Sequence, residues 1–149
     1  MVFFVWKISD ISTVLDAAMS GQTRSIYSTP FYSTKYGYKM CGRIYPAGDG
    51  KAKGTHLSVF IVIMRGEYDA IMSWPFRLRV TFTMINQAGK EDIRDSFAPD
   101  LSSNSFGRPT SEMNVASGCP SFCRLVDLLD FNRGFLKDNM IYLRLTVGP

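Results

Sequence analysis

A chain of 149 residues, 46% hydrophobic and 20% charged, holds enough apolar material for one globular domain. Such a domain buries roughly two-thirds of its unfolded surface and needs no disulfide or metal to staple it. The net charge of +4 is scattered singly among acids with no long basic run, which argues against a nucleic-acid surface, and three cysteines, Cys41, Cys119 and Cys123, cannot all pair and suit a reducing, cytoplasmic setting.

In chain order, Met1-Val2-Phe3-Phe4-Val5-Trp6 reads as a buried first strand. Lys7 and Asp10 end this run far short of the ~20 residues of a membrane span, so no membrane insertion is expected. It also lacks the basic region and cleavage site of a signal peptide, and a strand starting at the first residue points to a piece of a longer protein. Ile11, Leu15, Ala18 and Met19 have helical spacing, with Ser9 or Asp10 as cap and Gly21 as stop.

Two strands are predicted over Tyr36 to Tyr45 and Thr55 to Phe60, joined by a tight connection through Gly48-Asp49-Gly50 and Gly54. Alternation puts Arg43 and Tyr45 on one face, either solvated or a contact surface. Leu57, Val59, Ile61 and Ile63 alternate with His56, Ser58, Phe60 and Val62, so the second strand is apolar on both faces and its outer side is expected to be covered. Phe76, Leu78, Val80, Phe82 and Met84 alternate with Arg77, Arg79, Thr81 and Thr83, the clearest strand, with one face in the core and one in water. Phe122, Leu125, Val126 and Leu129 have helical spacing, although the part nearest Cys119 reads equally as strand. Ile141, Leu143, Leu145 and Val147 close the chain with a further alternating strand. Seven or eight strands between Gly, Pro, Asn and Ser clusters argue for an antiparallel sandwich without repeat or linker.

Catalytic signals are thin. With His56 as the sole histidine, inside a strand pattern, and no nucleophile turn around Cys41 or Cys119, no catalytic residue is expected. Cys119 and Cys123 lack a convincing second pair of zinc ligands, so no metal or cofactor is expected. Gly54-Thr55-His56 leads into a strand, whereas a phosphate loop requires Gly-Lys-Ser/Thr before a helix.

Several segments occur in one order along nearly the whole chain: Trp6-Lys7-Ile8, Phe31-Tyr32, Gly37-Tyr38-Lys39-Met40-Cys41, Gly48-Asp49-Gly50, Gly54-Thr55-His56-Leu57-Ser58, Met64-Arg65-Gly66-Glu67, Trp74-Pro75-Phe76, Ser105-Phe106, Arg108-Pro109 and Met113-Asn114 through Cys119-Pro120. In this order they closely resemble the C-terminal domain of TNF-receptor-associated factors (TRAFs), within the wider MATH superfamily. The resemblance implies an eight-stranded antiparallel β-sandwich over residues 1–149, with one or two short helices, from a protein whose coiled coil and zinc-binding regions lie upstream. It also implies an adaptor that binds short peptides of Pro-x-Gln/Glu type in the cytoplasmic tails of TNF-receptor-like proteins or in adaptor peptides. The peptide would add as a strand beside Ser117-Gly118-Cys119.

Carried over residue by residue, the resemblance gives Phe60, Phe97, Phe106 and Cys119 an apolar pocket for the first ligand residue, although each phenylalanine by itself reads as core. Ser103 and Ser105 match hydroxyls for a ligand Gln or Glu, in what otherwise reads as a polar loop. Asn104 departs from a serine between them, and an amide both donates and accepts. Asp49, beside Gly50, matches the acceptor of a ligand hydroxyl, Ser117 lies on the contact surface, and Gly118 permits close backbone approach. Arg43 and Tyr45 match a pair that engages an acid at the ligand's far end. Ala98 replaces a basic residue of close relatives, which predicts weaker reading of an acid there.

The implied assembly is a homotrimer in the full-length protein, built largely by the upstream coiled coil and used for avidity. Ubiquitin-ligase chemistry would belong to an N-terminal zinc RING, so the chain itself is not expected to be an enzyme. The alternative is a MATH-type substrate-recognition module of a ubiquitin ligase or related enzyme.

Overall fold

The alternating residues Ile141, Leu143, Leu145 and Val147 are all buried, while Tyr142, Arg144 and Thr146 between them are half-buried. That is the signature of a strand inside a sheet with one face on the core. The computed structural model, which describes residues 2–148, arranges such strands in two antiparallel sheets. The strands are β1 (Val2–Ile8), β2 (Ile26–Tyr27), β3 (Phe31–Tyr32), β4 (Lys39–Tyr45), β5 (His56–Met64), β6 (Arg79–Met84), β7 (Ile93–Phe97), β8 (Ser117–Arg124) and β9 (Ile141–Gly148). Helices α1 (Ile11–Met19) and α2 (Leu125–Leu128) lie between them. One sheet runs β1-β9-β6-β7 and the other β2-β4-β5-β8, with β3 also on β4.

Strands β2 and β3 are two pieces of one interrupted edge strand, which reconciles nine segments with an eight-stranded sandwich. Both pair with β4, at Tyr27 opposite Arg43 and at Phe31 opposite Met40. Between them Pro30 has no N–H to donate. Ser28 bridges the gap: its N–H donates to Gly42 O at 2.9 Å, and its Oγ accepts from Gly42 N–H at 2.8 Å.

The core fills the space between the layers. Trp6, Phe82, Leu143 and Leu145 from one sheet meet Ile44, Val59 and Ile61 from the other in a single cluster. A second, smaller cluster joins Cys41, Val62 and Met64 to Met113 and Ala116, so the outer side of β5 is covered there as its sequence predicts. Among the described residues no helix is long and apolar enough to cross a membrane.

Several local expectations are corrected. The strand expected from Phe76 begins at Arg79, because Phe76 is instead buried against the Phe106 ring and donates its N–H to Phe106 O at 2.7 Å. Thr83, expected in water, is buried, since Arg94 and Arg144 stand opposite it on both sides and Arg94 Nε donates to its hydroxyl at 3.4 Å. In β1 only alternate residues are buried: Trp6 and Ile8 face the core, while Phe3 and Val5 are exposed on the outer face of an edge strand.

The helix α1 follows Asp10, but Asp10 makes no side-chain cap. Asn139 does that work across the fold, accepting from Ile11 N–H through its carbonyl at 3.0 Å and from Ser12 N–H through its Oδ1 at 2.9 Å. Gly21 stops the helix as expected, at φ +83°, whereas Met19 is exposed. The second helical pattern shrinks to α2: Phe122 belongs to β8, edge-on to Phe82 with ring centres 6.3 Å apart, and Val126 and Leu129 are exposed.

Candidate peptide-binding site

The connection between β4 and β5 is not a tight turn; it spans residues 46–55 and contains a 3-10 turn over Gly50–Ala52. Its glycines supply the left-handed backbone expected of them, at Gly48 (φ +89°) and Gly50 (φ +59°), but Asp49 is extended. The Asp49 side chain makes no cap bond and is half-buried, so its carboxylate stays available. What fixes the loop is Ser58, buried on the outward-facing register of β5. Its Oγ accepts from Asp49 N–H at 3.0 Å and its hydroxyl donates to Pro120 O at 2.6 Å, tying the loop to β8.

Arg43 and Tyr45 share the outer face of β4, and Arg43 stands opposite Phe60 of β5. The Arg43 guanidinium carbon lies 4.9 Å from the centre of the Tyr45 ring, and Tyr45 meets Phe60 edge-on at 5.6 Å. Phe60 is buried and opposite Gly118 of β8. At Gly118 an added Cβ would sit 2.4 Å from Val59 O and 2.8 Å from Phe60 Cα. The close approach of β8 to its own neighbour β5 therefore requires glycine at this position.

The second group lies where the edges of the two sheets converge. Phe97, half-buried at the end of β7, is 6.1 Å from Phe106, which is fully buried and packed on Phe76. Phe106 is thus a core residue beneath Phe97, and no ring contact joins Phe60 to Phe97 or Phe106 among the described residues. Cys119 is buried beside Asp95 of β7; burial first, and then the carboxylate acting as hydrogen-bond acceptor and charge, push its thiol up to about 12. At neutral pH the thiol is therefore held in its neutral form and packs as a small apolar side chain.

The loop after β7 carries the hydroxyls. Ser103 is half-buried, Asn104 exposed and Ser105 buried, and Ser103 Oγ accepts from Ser105 N–H at 3.1 Å. Asn114 fastens this loop to the segment entering β8, its Nδ2 donating to Ser105 O at 3.1 Å and to Gly107 O at 2.8 Å. Ser103 and Asn104 line an open groove of about 690 Å³ with Trp74, Pro75, Met113 and Val115. Ala98 is exposed beyond Phe97.

The strand segment Ser117–Cys119 joins the two groups, reaching Phe60 through Gly118 and β7 through Cys119. Strand β8 pairs with β5 on one side, and among the described residues no strand pairs with its other side. Sequence reasoning had not singled out Ser58, Asp95 or Asn114 as site residues, nor Ser25 and Tyr27, which touch Arg43. For Ser58 a signal existed, a hydroxyl in an otherwise apolar strand. The others carry none, because each acts on a residue distant in the chain.

The sequence matches the family described as TRAF/meprin, MATH domain over residues 23–144. It is 51% identical over 144 residues to TNF receptor-associated factor 1 of Mus musculus, covering 97% of this chain and 35% of that protein. With TNF receptor-associated factor 2 of Homo sapiens the identity is 44% over 144 residues, covering 97% of this chain and 28% of that protein. The solved structure of Notothenia coriiceps TRAF5 superimposes with a TM-score of 0.95 at 36% identity, over 99% of this chain and 73% of that one. This chain therefore spans about a third or less of the length of these two curated relatives.

Proposed function

This chain belongs to the TRAF/meprin MATH domain family, and on that premise we propose that it is a cytoplasmic adaptor domain that captures short extended peptides from receptor tails. The observation that carries this reading is the unpaired side of β8 at Ser117–Cys119, set between the Arg43, Tyr45 and Phe60 face and the Ser103 to Phe106 loop. An unpaired strand offers its N–H and C=O groups to an incoming peptide, whose side chains then select the pockets.

In this reading the first ligand residue packs by Phe97 and Cys119, over the buried Phe106. A Gln or Glu meets Ser103, Asn104 and Ser105, and a hydroxyl meets Asp49 beside Gly50. An acid at the far end meets Arg43 and Tyr45. The chain acts by binding, with no reaction of its own, and links clustered receptors to signalling within a homotrimer that an upstream coiled coil holds together. The names of its relatives, TNF receptor-associated factors 1 and 2, support a TNF-receptor-type partner over a protease or ligase substrate.

A peptide array probed with the domain tests this. Enrichment of Pro-x-Gln/Glu peptides by the unaltered domain is the expected result. Absence of that enrichment in the unaltered protein refutes receptor-tail capture.

A further inference from the structure

Tyr27, Arg43 and Phe60 stand in one row across three strands, Tyr27 opposite Arg43 and Arg43 opposite Phe60. Directly opposed residues on adjacent strands project to the same face, so the half-exposed Tyr27 ring shares the surface on which Arg43 lies. Arg43 is held there on three sides. Its Nε–H donates to Ser25 Oγ at 3.0 Å, and its guanidinium carbon is 4.7 Å from the Tyr27 ring centre and 4.9 Å from that of Tyr45. Among the described residues its charge is met by no carboxylate, since the ion pairs there join Arg133 to Asp127 and Asp130.

A guanidinium can receive a carboxylate side-on, through Nε and one terminal nitrogen, or end-on, through both terminal nitrogens. With Nε committed to Ser25, the side-on mode is closed and the end-on mode is left. The two rings hold the planar group and lower the side-chain freedom that binding would otherwise remove. We propose that Ser25 and Tyr27 are positioning residues that set the specificity of this site, presenting Arg43 end-on to a single carboxylate at the far end of a bound peptide. The inference rests on the peptide-binding reading above and adds two residues to it from outside the motifs that suggested that reading.

The test compares two fluorescein-labelled peptides of Pro-x-Gln-x-Thr form, identical except for Asp or Asn at the far end, titrated into the domain. The unaltered domain prefers the Asp peptide. Ser25→Ala and Tyr27→Leu each lower that Asp-over-Asn preference about three- to tenfold, the scale of one hydrogen bond or one cation–π contact to a charged group. Ser25→Thr, which keeps the hydroxyl, and Tyr27→Phe, which keeps the ring, retain it. An unchanged preference in Ser25→Ala and Tyr27→Leu overturns the proposal while leaving peptide binding intact. Equal weakening of both peptides with a lowered Tm also overturns it, because that marks a brace for β2 alone. If the unaltered domain binds neither peptide, the receptor-tail reading itself fails and takes this inference with it.

Discussion

Ser58 shows how one buried hydroxyl can hold a surface loop. It is fully buried, and it satisfies both Asp49 N–H and Pro120 O. Ser58→Ala leaves both groups without their partner, so we expect a loss of about 1–3 kcal/mol in urea unfolding, together with weaker binding of peptides that carry the Thr or Ser proposed to meet Asp49. Arg43→Ala should weaken Asp-ended peptides by about 1–3 kcal/mol in titration, because it deletes charge-assisted hydrogen bonds. The three buried thiols make a further prediction. Burial raises Cys41 and Cys123 to about 11 and Cys119 to about 12. The fold thus favours the neutral thiols: their contribution to stability is complete below the ordinary value of 9.0 and is lost as pH rises from there through about 11 to 12. Thiol labelling at neutral pH should be slow in the folded domain and fast in urea, and fast labelling of Cys119 without unfolding would contradict its burial.

At the level of elements, the ends and edges depend on partners far away in the chain. Helix α1 takes its N-terminal acceptor from Asn139, whose own backbone is left-handed at φ +61°. Asn139→Gly keeps that backbone but removes the side-chain acceptor, at a cost of about 1 kcal/mol. Asn139→Ala adds strain of about 1–2 kcal/mol, so the alanine variant should unfold at lower urea than the glycine variant. Strand β8 depends on Gly118 in the same physical sense. Gly118→Ala places a methyl against Val59 O and Phe60 Cα, and the backbone shift should cost about 1–3 kcal/mol. Urea unfolding and peptide titration should both report it, since the same shift moves the strand that borders the site.

Across the whole molecule, one core cluster crosses both sheets, so the layers have no independent interior. Unfolding should follow one cooperative transition. Trp6 lies in that cluster and Trp74 packs against it beside the serine loop, so fluorescence and far-UV circular dichroism should give coincident curves. A separate early fluorescence change would show that the loop bearing Ser103 to Phe106 loosens apart from the sandwich. The proposed site is a property of this scale, because β8 ends one sheet, β7 ends the other, and Cys119 and Asp95 meet where the two edges converge.

Much of the fold was legible in the residues because a half-buried strand must alternate. Leu57 to Ile63, Val80 to Met84 and Ile141 to Val147 declare themselves that way, and Gly21 marks the end of α1 by its left-handed backbone. The motifs around Arg43, Asp49 and Ser117 to Cys119 likewise carry the family resemblance in the residues alone. Periodicity failed where long-range contacts decide: Phe76 left the strand for Phe106 and Thr83 was covered by Arg94 and Arg144, while Phe122, which reads equally as helix or strand, was settled as strand by its packing against Phe82. The sequence by itself thus determined the strand pattern, the family and the residue types at the proposed site. Only the tertiary structure decided that Ser25 and Tyr27 hold Arg43, that Ser58 holds the Asp49 loop, and that Asn139 caps α1. Hydrogen bonds and ring contacts between distant segments leave no period along the chain, so they exist as information only once the sheets have been assembled.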